Sequence, residues 1–184
     1  IKGVGGAQLD YSGEATTSSS ATISATIKIK SLTITTESGE VPETPETPET
    51  PVTPEDPDVP AVTATIDFND LASIGITEAD FTEFEQKDGS INTYYEITSG
   101  ENSTGSVGNA TVLVTIAQNA GTTTAKIWKN TNGTYELRAY KQHTLTITLK
   151  DGTPIAQIKG VGGTQLDYSG EAKSAVEITL TETA

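Results

Sequence analysis

Residues 1–15 read IKGVGGAQLDYSGEA and residues 158–172 read IKGVGGTQLDYSGEA, so the two stretches differ only at Ala7 against Thr164. Chance does not produce a match of that length, and so close a repeat marks a repeated structural unit. The separation of the copies equals one folded module plus one connector. The chain therefore reads in three parts: 1–36 as the C-terminal tail of a preceding repeat, 37–60 as a linker, and 61–184 as the next module. After the shared segment the first copy runs through 21–25 into an apolar strand at 27–36, whereas the second stops at Ala184. With 176–180 matched to 21–25, Ile27, Ile29, Leu32 and Ile34 have no counterparts, so the 61–184 module is expected to lack its last strand. Their spacing switches from odd to even near Ser31, which predicts a β-bulge. A sandwich without that strand exposes an unpaired edge and an apolar slot. The expected occupant is 27–36 itself, folded back across the linker or exchanged with a neighbouring repeat on another molecule.

The connector, VPETPETPETPVTPEDPDVP at 41–60, repeats Pro with Glu, Thr and Asp and no apolar pattern. Each Pro fixes its own φ and pushes the residue before it toward extended backbone. Polyproline II follows, and carboxylate repulsion favours extension; at about 3.1 Å per residue such a stretch spans about 60 Å. This predicts a semi-rigid stalk that holds the two pieces apart.

From Ala61 onward the pattern alternates with period two, the mark of half-buried strands. Ala64, Ile66 and Phe68 share a face, as do Val112, Val114 and Ile116, then Leu145, Ile147 and Leu149, then Val176, Ile178 and Leu180. Weaker strands are expected at 94–98, 124–128, 135–140 and 155–158. Asp88-Gly89, Asn132-Gly133 and Asp151-Gly152 tolerate positive φ and are read as hairpin turns. One segment departs from this pattern: in TEADFTEFEQ, 77–86, a Thr cap precedes acidic residues and two Phe three apart, which predicts a single short helix or turn of helix. The fold expected is all-β, an antiparallel two-sheet sandwich of Ig-like or jelly-roll type, with one short helical turn and the Pro-rich linker.

The formal net charge is -14. So acidic a surface repels phosphate backbones and anionic headgroups, which argues against nucleic acid and membrane partners. There is no run of apolar residues long enough to span a bilayer, so membrane insertion is not expected. Cys is absent, which removes thiolate zinc sites and thiol nucleophiles. No signal peptide is visible and the chain starts without Met, which reads as a segment of a longer precursor whose export signal lies upstream.

The run TYELRAYKQHTLTITLKDGTPIAQIK after Trp128, with TATIDFNDL at the module start and IKIKSLTIT at 27–35, resembles a β-sandwich module repeated in large exported proteins of Bacteroidota-type gut bacteria. The likeness covers 61–184, with 1–36 matching the module's end. It implies an extracellular or cell-surface location and a spacer or carbohydrate-binding role, and it brings no catalytic residues.

Candidate sites are few. GVGG at 160–163 lacks the following helix that a phosphate loop needs, and is read as a loop or a glycine-softened strand. His143 is the sole histidine, and without an orienting acid and a nucleophile beside it no triad forms. Glu78, Asp80, Glu83 and Glu85 look like a solvated face rather than a glycosidase pair. Asp67, Asn69 and Asp70 offer three oxygens at a strand end, the donor type a calcium ion takes; otherwise no cofactor is expected. Trp128 shares a face with Lys126, and Tyr140 shares one with Glu136 and Arg138. If those faces are open and adjacent, Trp128, Arg138 and Tyr140 make a platform for a sugar ring. The expectation is a non-catalytic surface module acting as a structural spacer or adhesion stalk, with carbohydrate binding as the alternative and glycoside-active chemistry third. The partners that fit are a glycan or another surface protein.

Overall fold

The computed structural model describes residues 2–4, 8–12, 19–23, 26–37 and 61–182. Fifteen strands are assigned in this part of the chain: β1 (Lys2–Val4), β2 (Gln8–Ser12), β3 (Ser19–Ile23), β4 (Thr26–Thr36), β5 (Thr63–Asp67), β6 (Thr82–Glu85), β7 (Ile91–Glu96), β8 (Thr104–Gly108), β9 (Val112–Ala117), β10 (Lys126–Lys129), β11 (Tyr135–Tyr140), β12 (Thr144–Leu149), β13 (Ile155–Gly162), β14 (Gln165–Lys173) and β15 (Val176–Glu182). They form two sheets, so the expected all-β sandwich is what the chain adopts. The larger sheet runs β1-β2-β14-β13-β4-β11-β10-β7-β6, with β5 also paired to β4, and the smaller runs β3-β15-β12-β9-β8. No helix among the described residues is long and apolar enough to cross a membrane.

The alternation explains the layers. Ile66 and Phe68, Ile127, Leu137 and Ala139, and Ile158 point inward from the large sheet, and Val112, Val114, Ile116, Leu145, Ile147, Ile178 and Leu180 from the small one; together they form one core. The outer face of the small sheet is lined by threonines, tied across strands by hydroxyl pairs such as Thr144 to Thr179 at 3.1 Å. Cross-strand hydroxyl pairs of this kind support a sheet without apolar burial.

The central strand of the large sheet is β4, which comes from the N-terminal segment. One edge of β4 pairs antiparallel with β13 over residues 29–36. Its other edge is shared end to end by β11, opposite 26–29, and β5, opposite 31–35. Ile27, Ile29, Leu32 and Ile34 are all fully buried. Their change of spacing coincides with a register shift, because Val161 faces Ser31 while Gly162 faces Ile29. Lys30 is the extra residue, so the bulge lies where the spacing placed it.

The two copies of the repeated segment meet directly. β2 lies parallel to β14 with Gln8 opposite Gln165, Leu9 opposite Leu166 and Tyr11 opposite Tyr168, so each residue faces its own duplicate. β3 lies parallel to β15 in the other sheet. These two junctions are parallel; the other strand pairs are antiparallel.

The ends of the linker also meet. The Thr36 N–H donates to the Val62 carbonyl and the Val62 N–H to the Thr36 hydroxyl, both at 3.0 Å. The expectation of a stalk separating the two pieces does not hold for its ends, because β4 and β5 pair as neighbours and bring residues 36 and 62 together. Residues 41–60 themselves lie outside the described residues.

Two local expectations are met in part. Within 77–86 the expected helical turn is present as a single 3-10 turn, Glu78–Asp80, but it goes no further: Thr82–Glu85 is a strand paired with β7. Phe81 and Phe84 therefore do not share a helix face: Phe81 packs on Tyr95 and Tyr135, while Phe84 is exposed. Asp88-Gly89 and Asn132-Gly133 close hairpins as expected, but Asp151-Gly152 joins β12 in one sheet to β13 in the other. At each of the three, only the Gly takes positive φ, while the Asp or Asn oxygen accepts the N–H two residues on.

Candidate functional site

The outer face of the large sheet carries the polar and aromatic side chains that alternation assigned to it. On adjacent strands β7, β10 and β11, Trp128 sits opposite Tyr94 on one side and Glu136 on the other. The indole stacks on the Tyr94 ring, 5.9 Å between centroids and 13° between planes. On the β11 side the Arg138 guanidinium lies 3.9 Å from the indole centroid. Because β7 and β11 flank β10, both indole faces are covered, and Trp128 is partly buried.

Arg138 is fixed in that position. Its Nε donates to Glu136 Oε1 at 2.8 Å and its Nη2 to Asn130 Oδ1 at 3.4 Å. Glu136 is itself buried, as is Lys126. The Lys126 ammonium stands 4.3 Å from the Tyr94 ring centroid and 5.9 Å from that of Tyr140. Burial holds the Lys126 amine below its ordinary pKa, the nearby Glu96 carboxylate opposing this and the Arg138 charge adding to it. Burial likewise raises the Tyr140 phenol. Trp128, Arg138 and Tyr140 are thus brought onto one face, with the Lys126 ammonium against the rings of Tyr94 and Tyr140. Tyr94, which packs on the indole, was not among the sequence-derived site residues; its alternation with Tyr95 placed it on a face, but only strand order places β7 beside β10.

Next to this ladder is an open groove of about 640 Å³, lined by Lys28, Lys30, Asn130, Asn132, Glu136 and Arg138 together with the Val161–Gly163 stretch. Three cations and one carboxylate make it locally basic on a chain of net charge -14. Its amide and guanidinium groups are planar donors that suit hydroxyl or carboxylate oxygens.

The glycine string has a structural use here. A side chain at Gly162 would come within 2.5 Å of the Lys28 carbonyl oxygen and 2.8 Å of the Lys30 nitrogen, so the bulged part of β4 fits against β13 only because that residue is Gly. Beside it, the Thr164 N–H donates to the Lys28 carbonyl at 2.8 Å, and the Lys28 N–H donates back to Thr164 Oγ1 at 3.0 Å.

The remaining candidates resolve as follows. Asp67 Oδ1 accepts the Asn69 N–H, Asn69 Oδ1 accepts the distant Tyr135 N–H, and Asp70 Oδ1 accepts the Ser73 N–H. Each proposed calcium donor is therefore aimed at a different backbone amide. Among the described residues no three His, Cys, Asp or Glu come together as a metal-holding group. His143 is fully buried: Nε2 meets the Thr123 carbonyl at 2.9 Å and Nδ1 accepts the Tyr140 N–H at 3.3 Å. Both ring nitrogens are thus engaged by backbone, with Nε2 carrying the proton. Glu78 is bound by the Tyr135 hydroxyl and, at 3.3 Å, by Lys129, and these contacts hold its carboxyl below the usual pKa. Glu83 and Glu85 lie exposed on β6.

No family model matches the chain, and no curated protein or solved structure shows significant similarity to it.

Proposed function

We propose that this chain is a non-catalytic module of an exported surface protein, acting as a structural spacer or adhesion stalk. The observation that carries the reading is the parallel pairing of the two repeat copies, residue-matched where β2 lies on β14 and continued by β3 on β15. Tension applied toward the N-terminus of one strand and the C-terminus of its parallel neighbour loads the ladder along its length. All its hydrogen bonds then resist together instead of opening one by one. A repeat joined to the next in this way is suited to bearing load. The exported, cell-surface setting rests on the sequence resemblance and on the acidic Pro-rich connector. Single-molecule pulling from the two chain ends tests the reading: after β1 peels away, one high-force rupture is expected. A series of weak, strand-by-strand events would sink it.

Carbohydrate binding remains a second reading, supported by the groove beside Trp128. Because both indole faces are covered, the ring offers an edge rather than a stacking platform, so a glycan would lie in the groove over Arg138, Asn130 and Lys28. A glycan array weighted toward acidic sugars, read with the fluorescence of the single Trp, tests this. Loss of any hit in Arg138→Ala supports it, and an array without hits removes it.

A further inference from the structure

We propose that the segment carrying β1 to β4 is exchangeable, and that its partner is a second copy of this chain, whose acceptor site between β11 and β13 takes β4 in place of that copy's own strand. Four observations point to this. β4 fills a slot built by other parts of the sequence, β5, β11 and β13, with four buried apolar side chains. The acceptor strand β13 and its partner β14 carry the repeated sequence, whose other copy is β1 and β2. β4 is thus paired with the hairpin of the second copy and not with that of its own. The residues that hold β4 are specialised for it: Gly162 admits its backbone and Thr164 clasps Lys28 from both sides.

The fourth observation is length. β4 and β5 pair side by side, with Thr35 opposite Thr63, and neighbouring antiparallel strands need a loop of only about two to five residues. The chain spends residues 37–62 on that connection. With no Cys in the chain, this segment is the sole covalent tie between the β1–β4 unit and the rest. The contacts it makes are therefore the same within one chain or between two, and only loop closure, which depends weakly on length, favours the closed form. In the exchanged form the Pro-rich segment becomes the bridge between two modules, the role its composition suits.

The single substitution between the copies separates the two hairpins as seats for β4, in the closed and the exchanged form alike. Where the acceptor has Thr164, the first copy has Ala7, which has no hydroxyl to receive the Lys28 N–H. A β4 strand therefore gains a hydrogen bond by pairing with the hairpin of the downstream copy. The proposal goes beyond the spacer reading, and its test reads strand position between chains rather than strength under load.

The test uses two full-length chains, each with one cysteine and otherwise native. Thr33 on β4 is the Cα partner of Lys159 on β13. A Thr33→Cys chain is mixed with a Lys159→Cys chain at high concentration, held near the melting temperature, cooled and oxidised. The expected product is a mixed disulfide-linked dimer, formed about tenfold more than from Thr33→Cys with Thr146→Cys, since a disulfide forms only where the Cα atoms lie close. Replacing 39–59 by a short turn in both chains should suppress it. Equal yields in the two mixtures, no cross-link, or a cross-link unaffected by the shortened loop would each overturn the proposal.

Discussion

Thr164 shows how one hydroxyl decides a strand's seat. Its side chain accepts the Lys28 N–H at a buried position, 2% exposed, beside the bulge where β4 leaves regular register. Thr164→Ala reproduces the residue of the first copy and leaves that N–H without its acceptor, at a cost of about 1 to 3 kcal/mol. Thr164→Ser should recover most of the loss; denaturant unfolding with an unchanged slope is the measurement, and equal stability of all three proteins would dismiss the clasp. His143 makes a second residue-scale statement. Burial lowers its pKa below the ordinary 6.5, the hydrogen bond to Thr123 opposing this. In the unfolded chain it titrates at its ordinary value, so between the two values the unfolded state binds more proton and folding weakens. Stability should therefore be level above about pH 6.5 and fall as pH drops below that, until the folded imidazole also titrates. Since the chain has one His, its imidazole NMR signal gives the folded value directly, and a midpoint at or above 6.5 would contradict the assignment. His143→Phe should remove the slope in this window while lowering stability throughout, because it abandons the Thr123 carbonyl and the Tyr140 N–H.

At the level of elements, the seat of β4 against β13 is a steric fit that can be probed one methyl at a time. Gly162→Ala sets a Cβ against the backbone of Lys28, which cannot yield without moving β4, and should cost about 1 to 3 kcal/mol. Gly163→Ala meets the Lys28 side chain first, at 3.3 Å, with the Lys28 carbonyl oxygen only at 4.0 Å, and should be nearly neutral. Equal melting temperatures for the two variants would mean that the glycine string has no role in seating the strand. These elements also show what the sequence discloses. Strands whose apolar residues alternate, β5, β9, β12, β15 and the two halves of β4 on either side of its bulge, were legible together with their inward faces, because those apolar residues are buried, Ala64 in part. β6 and β8 were not: TEFE buries none of its residues and TGSVG contributes only Val107 to the core, so neither carries a periodic signal. The helical turn expected within 77–86 forms only over Glu78–Asp80, because Phe81 and Phe84, three apart, imitate a helical face that a turn followed by a strand also yields. The faces of Trp128, Arg138 and Tyr140 followed from alternation alone. Tyr94 over the indole and Lys28 in the groove did not, since they depend on which strands become neighbours, and strand order is set by contacts distant in sequence.

For the whole molecule, the arrangement turns on a connection much longer than its ends require. Thr36 and Val62 are hydrogen-bonded to each other, so every residue beyond a tight turn adds closure entropy and no span. The cost of closing a loop rises as the logarithm of its length, about 0.6 kcal/mol per doubling. Replacing 39–59 by a turn of about two residues shortens the connection by about two doublings, which should stabilise the closed chain by about 1 kcal/mol. For a chain of this size that corresponds to a melting temperature higher by about 2 to 4 °C. The alternative, in which the Pro-rich segment holds residues 1–36 away from the module in solution, gives the opposite result. There a short turn would force together pieces that otherwise stay apart, and melting would be unchanged or lowered. Calorimetry of the two chains at low concentration, where exchange between molecules is suppressed, separates these outcomes. A gain in melting temperature places β4 in its own module at rest, and the absence of a gain would mean that the pairing of β4 with β5 does not persist in solution.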